Sequence, residues 1–171
     1  MSQAFRIPVA EERRHPGLQT KVRLVGPLDG IDLSSARVPQ DAEVSFEGVV
    51  EAQGPQVIIQ GTAIAPWEGE CRRCLEATDG MLEVHLREVF ESSPVEDETF
   101  PIEDDQVDLA PLLREALALA LPLAPLCRPD CPGPDPEAHP VVPAEDADEA
   151  AVPRDPRWEA LDELRFDASD E

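Results

Sequence analysis

Apolar residues recur at every second position through much of the chain before residue 91, a period that predicts half-buried strands. Leu18, Thr20, Val22 and Leu24 alternate with polar neighbours over 18–28 until Gly26-Pro27 interrupts them. A second alternating run holds Ala42, Val44, Phe46, Gly48 and Val50, and a third holds Val57, Ile59, Gly61 and Ala63. The Gln53-Gly54-Pro55-Gln56 between these two predicts a hairpin. The third run continues through Ile64, Pro66 and Trp67, and alternation resumes with Leu82, Val84, Leu86 and Phe90. Cys71 to Gly80 is therefore expected on a turn between two strands, and His85, between Val84 and Leu86, on the solvent face.

Beyond residue 91 the pattern changes. Ser92 to Gln106 contains Glu96, Asp97, Glu98, Glu103, Asp104 and Asp105 without the spacing or central glycine of a calcium loop, which predicts a solvated acidic loop. Asp108 is a good N-cap for a long helix near 108–121, with Pro111 harmless in the first turn and Pro122 as its stop. Leu112, Leu113, Leu117, Leu119 and Leu121 cover more than a narrow stripe, which predicts broad burial against the sheet. Pro132 to Arg154 is mostly Pro, Ala, Glu and Asp, too poor in apolar surface to offset the entropy of ordering, and is expected to be a disordered acidic linker. Asp155 to Leu164 then predicts a short helix with Trp158, Leu161 and Leu164 on one face, either a clasp on the domain or a segment for a partner's groove. The expected class is α+β: a mainly antiparallel β-sheet or partly open barrel with one long helix in residues 1–131, a linker at 132–154, and a short helix and tail at 155–171.

Composition narrows the chemistry. The 171 residues include no Tyr, five Phe and two Trp, so the core must rest mainly on Val, Leu and Ile. The formal charge is -23. Residues 1–131 carry 24 acidic and 11 basic side chains, and residues 132–171 carry 13 and 3. Nucleic-acid affinity comes largely from Lys and Arg releasing counterions, so the acidity argues against a broad phosphate-binding surface and a basic protein partner is electrostatically easier to accept. No secretion signal is visible near Met1, and the apolar run Ala116 to Leu126 is too short for a bilayer and contains Pro122 and Pro125. A cytoplasmic location without a membrane partner is the expectation, and there thiols stay reduced.

The four cysteines fall in two clusters: Cys71 and Cys74 in Glu70-Cys71-Arg72-Arg73-Cys74-Leu75, and Cys127 and Cys131 in Leu126-Cys127-Arg128-Pro129-Asp130-Cys131. Cysteines with two and three residues between them can converge on one ion, so the four are candidate ligands of one structural zinc; the alternative is buried or unused thiols. Arg72, Arg73 and Arg128 make a small basic knuckle able to reach RNA phosphate, or else pair with neighbours such as Glu70 and Glu76. A redox role for Cys71-x-x-Cys74 is disfavoured because no helical pattern follows the motif. His15, His85 and His139 have no nucleophile motif nearby, and no glycine-rich phosphate loop is present.

Together these stretches resemble the YceD family, named for large ribosomal RNA subunit accumulation, which has bacterial and plastid relatives. The resemblance rests on Cys71-Arg72-Arg73-Cys74 as a strand turn, on Val107-Asp108-Leu109 leading through Leu112-Leu113 to Leu121-Pro122 and Cys127, and on Asp155-Pro156-Arg157 with Leu161 and Leu164. Many members carry further cysteines after the position of Cys131, whereas this chain has Pro132-Gly133-Pro134-Asp135-Pro136, so only one four-thiol site remains open to it. The resemblance implies a non-enzymatic factor that supports accumulation of large-subunit ribosomal RNA and ribosome assembly. With so acidic a body, the expected partner is a basic ribosomal or assembly protein on a pre-50S particle, with limited direct RNA contact. The competing readings are a zinc-stabilised interaction module unrelated to ribosomes and a Cys-x-x-Cys redox protein.

Overall fold

In the computed structural model, which describes residues 3–95 and 98–138, a 3-10 turn (Gln3–Phe5) leads into β1 (Arg6–Pro8) and a short α1 (Ala10–Arg14). Then follow β2 (Gln19–Pro27), β3 (Ala36–Arg37), β4 (Glu43–Gln53), β5 (Gln56–Glu70), β6 (Ala77–Glu91), β7 (Phe100–Glu103), β8 (Gln106–Asp108) and α2 (Ala110–Ala120). The chain divides into two units, Met1–Pro134 and Asp135–Glu171. Of the second, the described part holds a turn in which the Ala138 N–H donates to Asp135 Oδ1 at 3.0 Å. The linker beyond Ala138 and the helix carrying Trp158, Leu161 and Leu164 lie outside the described residues.

The strands form one curled, half-barrel sheet in the order β1-β8-β7-β6-β5-β4-β2, with β3 added beside β5. Every pairing is antiparallel except β6 with β7. The β4–β5 hairpin closes at Gln53↔Gln56, where Gly54 takes φ +63°, a backbone conformation that glycine adopts without steric cost. Alternation places Val44, Phe46, Val50 and Ala52 of β4 and Val57, Ile59, Ala63 and Ala65 of β5 in the core. Opposite each other in the ladder, Gly48 and Gly61 leave the space that the Phe46 ring occupies; a Cβ on either would come within 2.8 Å of that ring.

Two expectations need correction. The segment after Ser92 is not all loop, because Phe100, Ile102 and Val107 are enough to seat β7 and β8, joined by Asp104 and Asp105 at φ 51° and 54°. Both central residues of that turn are left-handed, as a two-residue hairpin with primed geometry requires, and the acidic run concealed so short an alternation. The helix is not long. It has 11 residues, its N-cap is Leu109, and Asp108 instead accepts the Ala110 N–H at 2.9 Å. Leu112, Leu113 and Leu117 are buried while Leu119 is 82% exposed, so a single face packs, and the apolar breadth of the sequence overstated its burial.

α2 runs from the β8 end, where Leu109 N–H donates to Phe5 O, to the far ends of β5 and β6. Leu121 N–H returns to Leu117 O at 3.1 Å, and Ser35 Oγ donates to Pro122 O at 3.0 Å. That exit delivers the following prolines and cysteines to the β5–β6 turn. Among the described residues no helix is long and apolar enough to cross a membrane.

Candidate metal centre

The β5–β6 ladder ends at Glu70↔Ala77, and the six residues between these two make a tight knuckle. Cys71 N–H donates to Glu76 O at 2.8 Å, and Leu75 N–H turns back to Cys71 O at 2.8 Å. Leu75 pays for the turn with φ +63°, an unfavourable conformation for a residue with a Cβ. The second knuckle, Cys127 to Cys131, closes through Cys131 N–H to Arg128 O at 3.1 Å. Arg72 N–H donates to Pro125 O at 2.9 Å and joins the two.

This brings all four sulfurs together. They lie within 4.8 Å of one another, with Cys71 Sγ to Cys131 Sγ and Cys74 Sγ to Cys127 Sγ both at 3.8 Å. A tetrahedron with zinc–sulfur bonds of about 2.3 Å has edges of about 3.8 Å. A disulfide needs about 2.05 Å, and all four cysteines are free. The spacing suits a single ion, whereas the several irons of a cluster would need a wider cage. Cys71 and Cys131 are buried, Cys74 is half-buried and Cys127 is exposed.

The electrostatics favour anionic sulfur at one position. Backbone N–H groups of Cys74 and Cys127 donate to Cys71 and hold its thiol down at about 6, overcoming burial. Cys74 receives the Glu76 N–H, yet burial and the thiols of Cys71 and Cys131 leave it raised. Cys127, facing Cys131 and desolvated, is pushed up to about 12. A lowered Cys71 thiol beside raised Cys74 and Cys127 is a donor set that a dication completes by expelling protons.

The three arginines sit on the same knuckles. Arg73 Nη1 donates to Cys131 O at 2.9 Å and to Pro129 O at 3.4 Å. Arg128 Nε lies 3.4 Å from Asp130 Oδ1, and the exposed Arg72 lines a groove of about 620 Å³ with Leu33, Leu75, Leu123 and Pro125. Cys71-x-x-Cys74 lies on a strand-to-strand turn, not at a helix N-terminus. Leu33, the positive φ at Leu75 and the carbonyls of Pro122 and Pro125 carried no signal in the sequence; only the density of prolines after Leu121 hinted at a rigid approach to the second knuckle.

The family described as "Large ribosomal RNA subunit accumulation protein YceD" matches residues 59–165. Uncharacterized proteins of Mycobacterium bovis and Mycobacterium tuberculosis are 33% identical over 172 residues, covering 96% of this chain and 83% of theirs. One from Mycobacterium leprae is 32% identical over 128 residues, covering 70% of this chain and 59% of its own. No solved structure matches significantly.

Proposed function

Because this chain belongs to the YceD family, we propose that it is a cytoplasmic, non-enzymatic factor that assists assembly of the large ribosomal subunit by holding a basic ribosomal or assembly protein. The observation that carries the ribosomal part is the family match over residues 59–165, with its description of large-subunit ribosomal RNA accumulation. Charge supports the choice of partner. The chain carries -23, and Arg6, Arg13, Arg23 and Arg37 are already paired with Asp108, Asp105, Glu47 and Glu68. So negative a chain repels RNA phosphate overall, while a lysine-rich polypeptide meets complementary charge. Direct RNA contact is confined in this reading to the knuckle arginines, first the exposed Arg72, with Arg128 beside Asp130 and Arg73 tied to backbone carbonyls.

One zinc ion held by Cys71, Cys74, Cys127 and Cys131 has an architectural role here. It fastens the exit of α2 to the end of the β5–β6 hairpin, a junction otherwise held by a few hydrogen bonds. Affinity purification of the full-length protein at low and high salt, with bound RNA and proteins identified, tests the function. Recovery of pre-50S particles or a basic large-subunit protein at low salt, lost at high salt, is expected. Ribosomal fractions devoid of the protein at low salt would overturn the reading.

A further inference from the structure

The β5–β6 register fixes which way each backbone group of β6 points. Cys71 N–H donates to Glu76 O, and the same antiparallel register runs without interruption from Glu70↔Ala77 to Val57↔Phe90. Hydrogen-bonded pairs alternate with non-bonded ones along such a ladder, so Thr78, Gly80, Leu82, Val84 and Leu86 turn their N–H and C=O groups toward β5. The residues between them, Asp79, Met81, Glu83, His85 and Arg87, turn theirs away. Pro66 opposite Met81 agrees: its missing N–H would point away from β6, into the gap where pairing with β4 has ended at Ile64 and pairing with β3 has not begun.

β7 takes up the outward groups of β6 only at Phe90↔Phe100 and Glu91↔Pro101. Among the described residues no other strand pairs with β6 except β5, and no backbone hydrogen bond outside the ladders reaches Asp79 to Arg87. Over this stretch, roughly 30 Å at about 3.4 Å per residue, the outward groups of β6 have no strand partner among the described residues, with α2 packed nearby. Such an edge is a template for an added strand.

Side chains select which strand. Met81 is 64% exposed, and Asp79 and Glu83 flank it on the same face. A second copy of the chain brings another -23, and antiparallel self-pairing about Met81 sets Asp79 and Glu83 of one copy opposite Glu83 and Asp79 of the other. A cationic strand meets attraction at the same positions. At its Ala77–Asp79 end the edge joins the groove in which Leu75 and Leu123 stand exposed.

We propose that the open edge of β6, Asp79 to Arg87, receives an extended, lysine- or arginine-rich segment of a protein partner as an added strand, basic side chains beside Asp79 and Glu83 and an apolar one against Met81. This rests on the reading that the protein holds a basic polypeptide, and specifies where and in what conformation it does so.

Amide hydrogen exchange of the full-length protein, with and without a short acetylated and amidated peptide whose every second residue runs Lys, Val, Lys with threonine between, tests it. The amides of Asp79, Met81, Glu83, His85 and Arg87 should gain about tenfold or more protection, while those of Leu82, Val84 and Leu86, already bonded to β5, change little. His85→Pro removes one outward N–H and leaves the β5 ladder whole, so it should weaken the peptide by about tenfold. The pair Asp79→Asn and Glu83→Gln, which leaves the backbone alone, should weaken binding and flatten its salt dependence. Peptide binding with protection elsewhere, and no effect of either variant, would overturn the edge assignment and leave the basic-partner reading standing. Protection of the same amides by protein concentration alone would give the edge to a second copy and also overturn it. No peptide binding at low salt, together with no basic protein co-purifying, would remove both.

Discussion

The guanidinium of Arg73 donates to the carbonyl of Cys131 at 2.9 Å, so a side chain between the two sulfurs of the first knuckle clamps the backbone that carries the last sulfur of the second. Its contact with Pro129 O lies on the same loop. Arg73→Ala should leave the sheet intact and weaken zinc affinity by roughly tenfold or more, as loss of a supporting contact around a metal typically does. Arg73→Lys keeps donors for both carbonyls but loses the rigid planar guanidinium whose Nη1 serves them, and should recover only part. Competition with a chromophoric chelator measures both.

Protein purified without chelator should contain about one zinc per chain. Cys131→Ser should abolish that stoichiometry and destabilise the domain by roughly 3 kcal/mol or more, since binding energy at a structural site is folding energy. Thermal melts with and without chelator check this; a metal-free protein that melts at an unchanged temperature would remove the site.

The thiol shifts set a pH profile for the metal-free domain. Cys71, held at about 6 against an ordinary 9.0, leaves the native state with fewer protons than the unfolded chain between these values. Its stabilisation is full above 9.0 and is lost as pH falls toward 6. Cys127, raised to about 12, acts in the opposite sense: its contribution is full below 9.0 and is lost as pH rises toward 12. Urea midpoints should therefore peak near pH 9 and fall on both sides. Zinc affinity should rise with pH across neutrality, because capture must expel protons from Cys74 and Cys127.

The two faces of α2 should respond differently to truncation. Leu113, 0% exposed, should cost about 2–5 kcal/mol as Leu113→Ala. Leu119, 82% exposed, should stay within about 0.5 kcal/mol as Leu119→Ala. Equal losses at both positions would mean that Leu119 is covered by something that binds it in solution.

Sequence by itself determined the β-rich character, the β4–β5 hairpin, the strand-turn position of the first cysteine pair and the solvent-facing place of His85, because each depends on local alternation or turn chemistry. It also placed α2 to within two residues at each end, through Pro111 and Pro122, although the cap is Leu109 and not Asp108. Tertiary structure alone decided that the helix packs on one face, since Leu119 and Leu117 are chemically alike and only the neighbours of Leu117 distinguish them. It decided that an acidic stretch hides β7 and β8, whose short runs are held by pairing with β1 and β6 instead of by their own propensity. It decided, above all, that Cys71 and Cys131 meet. Spacing showed that each pair could form a knuckle, but the convergence of the two depends on the length of α2 and the prolines after it carrying the chain back to the end of a long hairpin, a sum over many residues that no short window contains.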